Sequence, residues 1–446
     1  MTAPVDLPGD VSSGLPVGVP LDVPLDVTGG VPIAAVQRRT LRVLVATQVL
    51  GGVGVALGVA VGSLLAADVF GSAALAGLAQ TSVVLGAALA ALPMSRLMAA
   101  RGRRPGLAVG YVTGAVGAVT AVVAAAVGAP WLLLPGLLLF GASTAANLQA
   151  RYAATDLADP HHRSRALATV VWATTVGAVA GPNLAAPAGA FARALGLPDL
   201  TGAFLCSAAV FLLAGAVLLA RLRPDPLVLA RTRSGQPGKF AAPRRAARTA
   251  LRAVAESPPA TLGLAAVALS HTVMVSVMVM TPVHMHAGGA ELRVVGIVIS
   301  VHVAGMYALS PVVGWLADHV GRVPVVLGGQ VVLLAALVVA GTAPSRGSLQ
   351  LGVGLFLLGL GWSCGLVAGS TLLAESVPDA IRPAVQGTAD LVMGLCAAVG
   401  GALAGVVVAL LGYAALAATA ALLLVPVTLL MVRPGRRETL VRQRPE

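Results

Sequence analysis

Apolar runs long enough to cross a bilayer recur twelve times along this 446-residue chain, and that recurrence limits the possible folds more than any motif does. The runs fall at 41–67, 72–95, 106–129, 131–150, 166–190, 200–220, 259–284, 294–317, 323–342, 349–373, 386–411 and 413–432. About 20 apolar residues in a helix cross a bilayer core, and without water only helices or closed barrels satisfy every backbone N–H and C=O. With 57% apolar residues, only 10% charged and a mean hydropathy of +0.92, the composition lies outside the range of a soluble domain. The expected fold class is an all-α polytopic membrane protein with twelve transmembrane helices.

Basic residues are retained on the cytoplasmic side during insertion. Of the 29 Lys and Arg, 26 lie on the side holding both termini and the even-numbered loops, and only Arg193, Arg293 and Arg346 lie on the other. Both termini are therefore expected in the cytoplasm, with the chain in the plasma membrane. The formal charge of +12 then reflects topology, and the basic loop 221–252 calls for no nucleic-acid partner. Residues 1–37 are Pro/Asp/Val/Gly-rich, repeat PLDV and carry no Lys or Arg, so they read as a disordered cytoplasmic tail rather than a signal peptide. The remaining divisions are six-helix bundles at 38–220 and 259–432, a basic cytoplasmic linker at 221–258 and a second tail at 433–446. Cys206, Cys364 and Cys396 fall in separate expected helices, where a packing role fits better than a disulfide framework.

The two halves repeat with one constant offset. SRLMAARGRRP at 95–105 lies over GWLADHVGRVP at 314–324, a shift of 219 that aligns Gly102 with Gly321 and Arg103 with Arg322. The same shift carries Asp156 to Glu375, Arg163 to Arg382 and Gly181 to Gly400. This duplicated arrangement resembles the major facilitator superfamily over residues 38 to 435. Its loop motif is matched by Gly314, Asp318, Gly321 and Arg322, and in the first half by Gly102 and Arg103, where Ser95 and Ala99 replace the glycine and the aspartate. The resemblance implies two pseudo-symmetric bundles that rock for alternating access, a solute site between them, and a gating loop whose Asp and Arg contact neighbouring helix ends. It implies transport of a small solute or ion by a functional monomer and no enzyme chemistry. No triad or phosphate loop is visible, and no cofactor is required.

Several readings of the cargo stay open. GAVAGPNLAAPAG at 177–189 resembles part of the fifth-helix motif of drug/proton antiporters in Gly177, Gly181 and Pro182, where glycines permit close approach and proline bends the helix. The alternative is plain packing. Gln48, Gln80, Asn147 and Asn183 are candidate cavity contacts or interhelical hydrogen bonders. Asp390 is the one acid placed inside an expected helix, about a turn from its cytoplasmic end, where a structural role is expected ahead of a coupling role.

A soft-ligand pattern points elsewhere. Met274 and Met278 share a face of helix 7, as do His302 and Met306 of helix 8, and in an antiparallel hairpin these pairs match in depth with one index sum of 580. The two levels would lie roughly 6 Å apart, with His284, Met285 and His286 at the outer mouth. Thioethers with imidazole suit Cu(I). The four residues resemble the ligand signature of the copper-importing CcoA-like branch, which makes copper uptake the leading expectation. The alternatives are drug or metabolite efflux by proton antiport and uptake of an organic nutrient.

Overall fold

The computed structural model describes residues 32–71, 77–234 and 246–432. The first six long helices are α1 (Ile33–Phe70), α2 (Gly77–Arg101), α3 (Arg103–Ala126), α4 (Pro130–Ala153), α5 (Arg163–Ala194) and α6 (Thr201–Arg221). Two short helices follow, α7 (Pro226–Arg233) and α8 (Ala246–Glu256). The second half contains α9 (Pro258–Ala287), α10 (Leu292–Tyr307), α11 (Ser310–His319), α12 (Arg322–Gly341), α13 (Ser348–Glu375), α14 (Arg382–Leu411), α15 (Tyr413–Leu422) and α16 (Val425–Val432). Eleven spans among the described residues are long and apolar enough to cross a membrane, α10 with α11 counting as one. The bent α5, whose stretches Pro160–Gly181 and Asn183–Ala194 are inclined at 53°, makes the twelfth.

Two boundaries differ from expectation. The first helix begins at Ile33, so residues 33–37 belong to α1 rather than to a tail, while 1–31 and 433–446 lie outside the described residues. The linker contributes two helices. Leu229 of α7 packs with Val36 and Leu157 of the first bundle, and Ala250 and Val254 of α8 pack with Leu373 and Val385 of the second. Asp225 accepts the N–H groups of Leu227 and Val228, capping α7, and also the N–H of Arg104 at the start of α3. Each half of the linker is thus fastened to its own bundle. These elements and the turns at 102, 321 and 376–381 share one face of the molecule, called the basic face below.

Lipid is as apolar as leucine, so helices in a membrane associate through close packing rather than through a hydrophobic drive. The glycines supply that closeness. A Cβ on Gly177 would lie 2.4 Å from the backbone carbon of Gly52, and one on Gly181 would lie 2.4 Å from Ala56, so this motif packs α5 on α1. Gly86 lies against the carbonyl of Leu138 in α4, and its repeat mate Gly305 lies against the carbonyl of Phe356 in α13. The loop glycines Gly102 and Gly321 have φ of +95° and +107° at the starts of α3 and α12, a region unfavourable to any residue with a Cβ.

The bundles meet along two seams, α2 on α14 and α5 on α10 and α11. Gly314 of α11 sits against Ala168 of α5, and its repeat counterpart Ser95 of α2 sits against Gly387 of α14. Residues 168 and 387 are themselves related by 219, so the small residue has changed sides of the contact. The serine that departs from the loop motif is accommodated by a glycine opposite. A Cβ at Gly314 would lie 2.5 Å from the Ala168 Cβ and 2.7 Å from the Ser164 carbonyl oxygen. Gly314→Val should therefore prise the seam apart, lowering stability by about 1–3 kcal/mol, whereas Gly328→Ala, which meets open space, should be neutral or slightly stabilising. Thermal unfolding of both variants in detergent checks this.

Candidate functional site

The basic face is clasped by charges that cross between bundles. Asp318, with a side chain 0% exposed, accepts the backbone N–H groups of Ser164 and Arg165 at 3.0 and 2.9 Å, so the carboxylate of one bundle caps the first turn of α5 in the other. Negative charge at a helix N-terminus is stabilised by the unsatisfied N–H groups and the helix dipole. Arg322 donates to Glu375 at 3.0 Å and to the Pro160 carbonyl at 2.7 Å, and Arg163 lies 3.8 Å from the same glutamate. In the first half, Arg103 binds both oxygens of Asp156 at 2.8 and 3.0 Å and reaches across to Gln386 of α14 at 2.7 Å. The two Arg–acid pairs, 103 with 156 and 322 with 375, are repeat mates.

Deeper between the bundles lies an ion pair that the sequence reading missed. Arg151, near the end of α4, donates to Asp390 of α14 at 2.6 Å, with both side chains at 2% exposure or less. Its Nη2 also donates to Tyr152, whose ring it overlies at 4.4 Å, and its Nε donates to Ser370 at 3.3 Å. The second oxygen of Asp390 has no hydrogen-bond partner. Asp390 stands eight residues into α14, roughly 12 Å of rise. It is therefore two turns inside the helix and points into the protein, and the expected place one turn from the end, as a helix-start acid, is corrected. Among the described residues no ion pair joins the bundles at the opposite face, where Arg193 pairs with Asp199 within the first bundle.

Beside this pair the second bundle holds an aromatic group. The indole N–H of Trp362, midway along α13, donates to Nδ1 of His271, midway along α9, at 2.9 Å. Tyr307, at the end of α10, meets Trp362 edge-on with centroids 5.6 Å apart. Arg151 in the opposite bundle reaches the same helix α13 at Ser370, two turns further along it than Trp362. A planar wall, a histidine, an arginine and a half-satisfied carboxylate thus lie where the bundles face each other. No residue of this wall was singled out from the sequence. Its signal is a mid-helix His and a lone Trp in apolar helices, 91 positions apart.

The soft-ligand residues are arranged differently from the hairpin register. Among its neighbours α10 lies along α13 and touches α9 only slightly. Gly359 of α13 is pressed against the backbone of His302 and Met306, so the HxxxM face is turned toward α13 and not toward helix 7. His302 is fully buried, and its Nδ1 donates to the Leu355 carbonyl at 2.7 Å while Nε2 has no partner. Met274 and Met306 are buried in the core of the second bundle, with Met278 half-buried against it. The outer mouth is also corrected. His284 stacks on Tyr413 with centroids 4.3 Å apart, Met285 is fully buried, and only His286 is exposed.

The candidate cavity amides divide. Gln48 donates to Thr174 at 2.9 Å, and Asn147 accepts from Tyr111 at 2.6 Å, both buried interhelical bonds of the first bundle. Gln80 is exposed, and exposed Asn183 donates to the Val179 carbonyl of its own helix.

Comparison with known proteins supplies the lineage of this arrangement. Residues 43–292 and 266–446 match the sequence profile of the Major Facilitator Superfamily. The chain is similar to the uncharacterized MFS-type transporter YdeG of Bacillus subtilis (strain 168), at 42% identity over 87% of this chain and 91% of that one. It is also similar to the riboflavin transporter RfnT of Brucella anthropi, at 27% identity over 81% of this chain and 86% of that one. Among solved structures, that of the human organic anion transporter MFSD10 (TETRAN) superposes with a TM-score of 0.66 at 19% identity, covering 89% of this chain and 99% of that one. A duplicated set of six spans, an inter-bundle polar site and these matches agree, and the chain belongs to the major facilitator superfamily of secondary membrane transporters.

Proposed function

We propose that this protein carries a small organic solute with a planar ring through the plasma membrane by alternating access, with the basic face cytoplasmic. The observation that carries the reading is the Trp362–His271–Tyr307 wall, built on the same helix, α13, that Arg151 reaches across the bundle interface through Ser370. An aromatic wall provides large apolar contact together with hydrogen-bonding edges, and the arginine provides charge-assisted donors for an acidic or carbonyl-bearing edge. The similarity to a relative named as a riboflavin transporter supports a planar heteroaromatic cargo. The excess of Lys and Arg on the basic face supports its cytoplasmic placement.

In this mechanism the Arg151–Asp390 pair and the Asp318 cap hold the cytoplasmic side shut while the solute enters from the other. A solute group that competes for Arg151 loosens the pair and lets the bundles rock, after which the cap on α5 breaks. Copper uptake is the second reading. It rests on His302, whose Nδ1–H is held by a carbonyl while Nε2 stays unpartnered, as in a ligating imidazole. Copper accumulation unchanged on replacing Met274, Met278 and His302 together would remove it.

Uptake of riboflavin and related flavins into proteoliposomes tests the main reading. Transport of copper with no flux of any flavin or other ring-bearing solute would overturn it. Trp362→Leu should raise KM roughly threefold to tenfold and, because Trp362 is buried in the core of the second bundle, should also lower the unfolding temperature. Asp390→Asn leaves a buried arginine unpaired and should destabilise the fold by about 3–5 kcal/mol, whereas the Arg151→Met/Asp390→Leu double variant should recover most of that loss without recovering transport. A thermal-unfolding double-mutant cycle combined with flux measures both effects. Asp318→Asn should weaken the cap on α5 and slow cycling about tenfold with substrate affinity retained; a collapse of affinity at normal cycling rate contradicts the latch.

A further inference from the structure

A cleft of about 740 Å³ opens on the basic face, away from the transport site, between the start of α1, the turn into α5, the end of α7 and the start of α14. Its lining includes Arg38, Arg163, Arg165, Arg233 and Arg382. Three aspartates share the lining, and each is already engaged. Asp156 is held by both arms of Arg103, Asp379 pairs with Arg382, and Asp159 accepts the His161 N–H beside His162. Arg163 and Arg165 lean toward Glu375 and Asp318 at 3.8 and 3.4 Å. Arg38 and Arg233 differ: both are exposed, and no ion pair or hydrogen bond to either occurs among the described residues. Between these cations the floor is apolar, with Ile33, Leu41, Leu157 and Ala230.

We propose that this cleft binds a phosphate-bearing anion, a phospholipid headgroup or a free phosphate ester. Guanidinium groups present planar paired donors that match phosphate oxygens. Basic pockets between transmembrane helices are a recurrent setting for anionic headgroups. The apolar floor suits the glycerol and first methylenes of a lipid. The lining is drawn from the first bundle, the linker helix and Asp379 and Arg382 of the second bundle. An anion in the cleft therefore joins both bundles and favours the arrangement in which the basic face is closed. This site is independent of the identity of the transported solute.

The test uses the full-length protein in nanodiscs of phosphatidylcholine with or without phosphatidylglycerol, compared with an Arg38→Gln/Arg233→Gln double variant. Neither arginine has a partner among the described residues, so the variant should fold normally. Arg252→Gln, exposed on α8 and paired only with Glu256, controls for general surface charge. Native mass spectrometry should find phosphatidylglycerol retained by the wild type and by Arg252→Gln, and retention about tenfold weaker in the double variant. In phosphatidylcholine alone, millimolar inorganic phosphate should raise the unfolding temperature of the wild type and not of the double variant. A difference with the lipid alone assigns a headgroup site, and one with phosphate alone assigns a soluble ester. Equal behaviour of wild type and double variant with both probes, or an equal loss in Arg252→Gln, overturns the proposal.

Discussion

Helices in lipid gain nothing from burying leucine against leucine, so everything in this fold depends on how closely backbones can approach. Many of the helix glycines serve that approach. Where Gly177 of α5 crosses α1, or Gly305 of α10 and Gly359 of α13 meet the partner helix, a single added methyl would meet backbone atoms at under 2.6 Å. The glycines of the antiporter-like motif, Gly177 and Gly181, pack α5 closely on α1. Polar groups are then set on this framework at few places, and those that join the bundles are paired across the seams.

The seams between the bundles show how repeat symmetry is kept in shape and given up in chemistry. Ser95 on Gly387 and Gly314 on Ala168 are the same crossing with the small residue exchanged. The cap has no such exchange. Asp318 receives N–H groups from Ser164 and Arg165, whereas the first-half position holds Ala99, and the helix start it would cap contains Pro383, which has no N–H. The missing carboxylate and the missing donor agree with each other. One seam is held by an electrostatic cap and by packing, the other by packing, the Arg103–Gln386 bond and the Arg151–Asp390 pair.

Much of the fold could be read from the sequence because hydrophobic length, charge bias and a constant offset are local or periodic signals. The partnership of Arg103 with Asp156, and of Arg322 with Glu375, was implicit in the shift of 219 that aligned all four. Arg151 was missed because its place at a helix end made it one more topology-setting cation, and its partner is 239 residues away. Depth matching of Met278 with His302 assumed that consecutive helices pack along each other. The structure inserts α13 as the neighbour of α10, a fact of three-dimensional order that no index sum contains. The linker helices were hidden by high polarity, though Ala250 and Val254 are spaced one turn apart.

Arg151 and Ser370 are 219 residues apart and touch. A residue in contact with its own repeat mate lies next to the twofold axis. In a symmetric dimer of identical six-helix halves, whatever side chain occupied that point would confront its own copy, and two buried arginines there would repel. Placing both halves in one chain removes that restriction: arginine on one side meets serine on the other, and Asp390 has Val171 as its counterpart. The central charge pair is therefore an arrangement that only two unlike halves can hold, and a symmetric dimer of two copies of either half would forbid it.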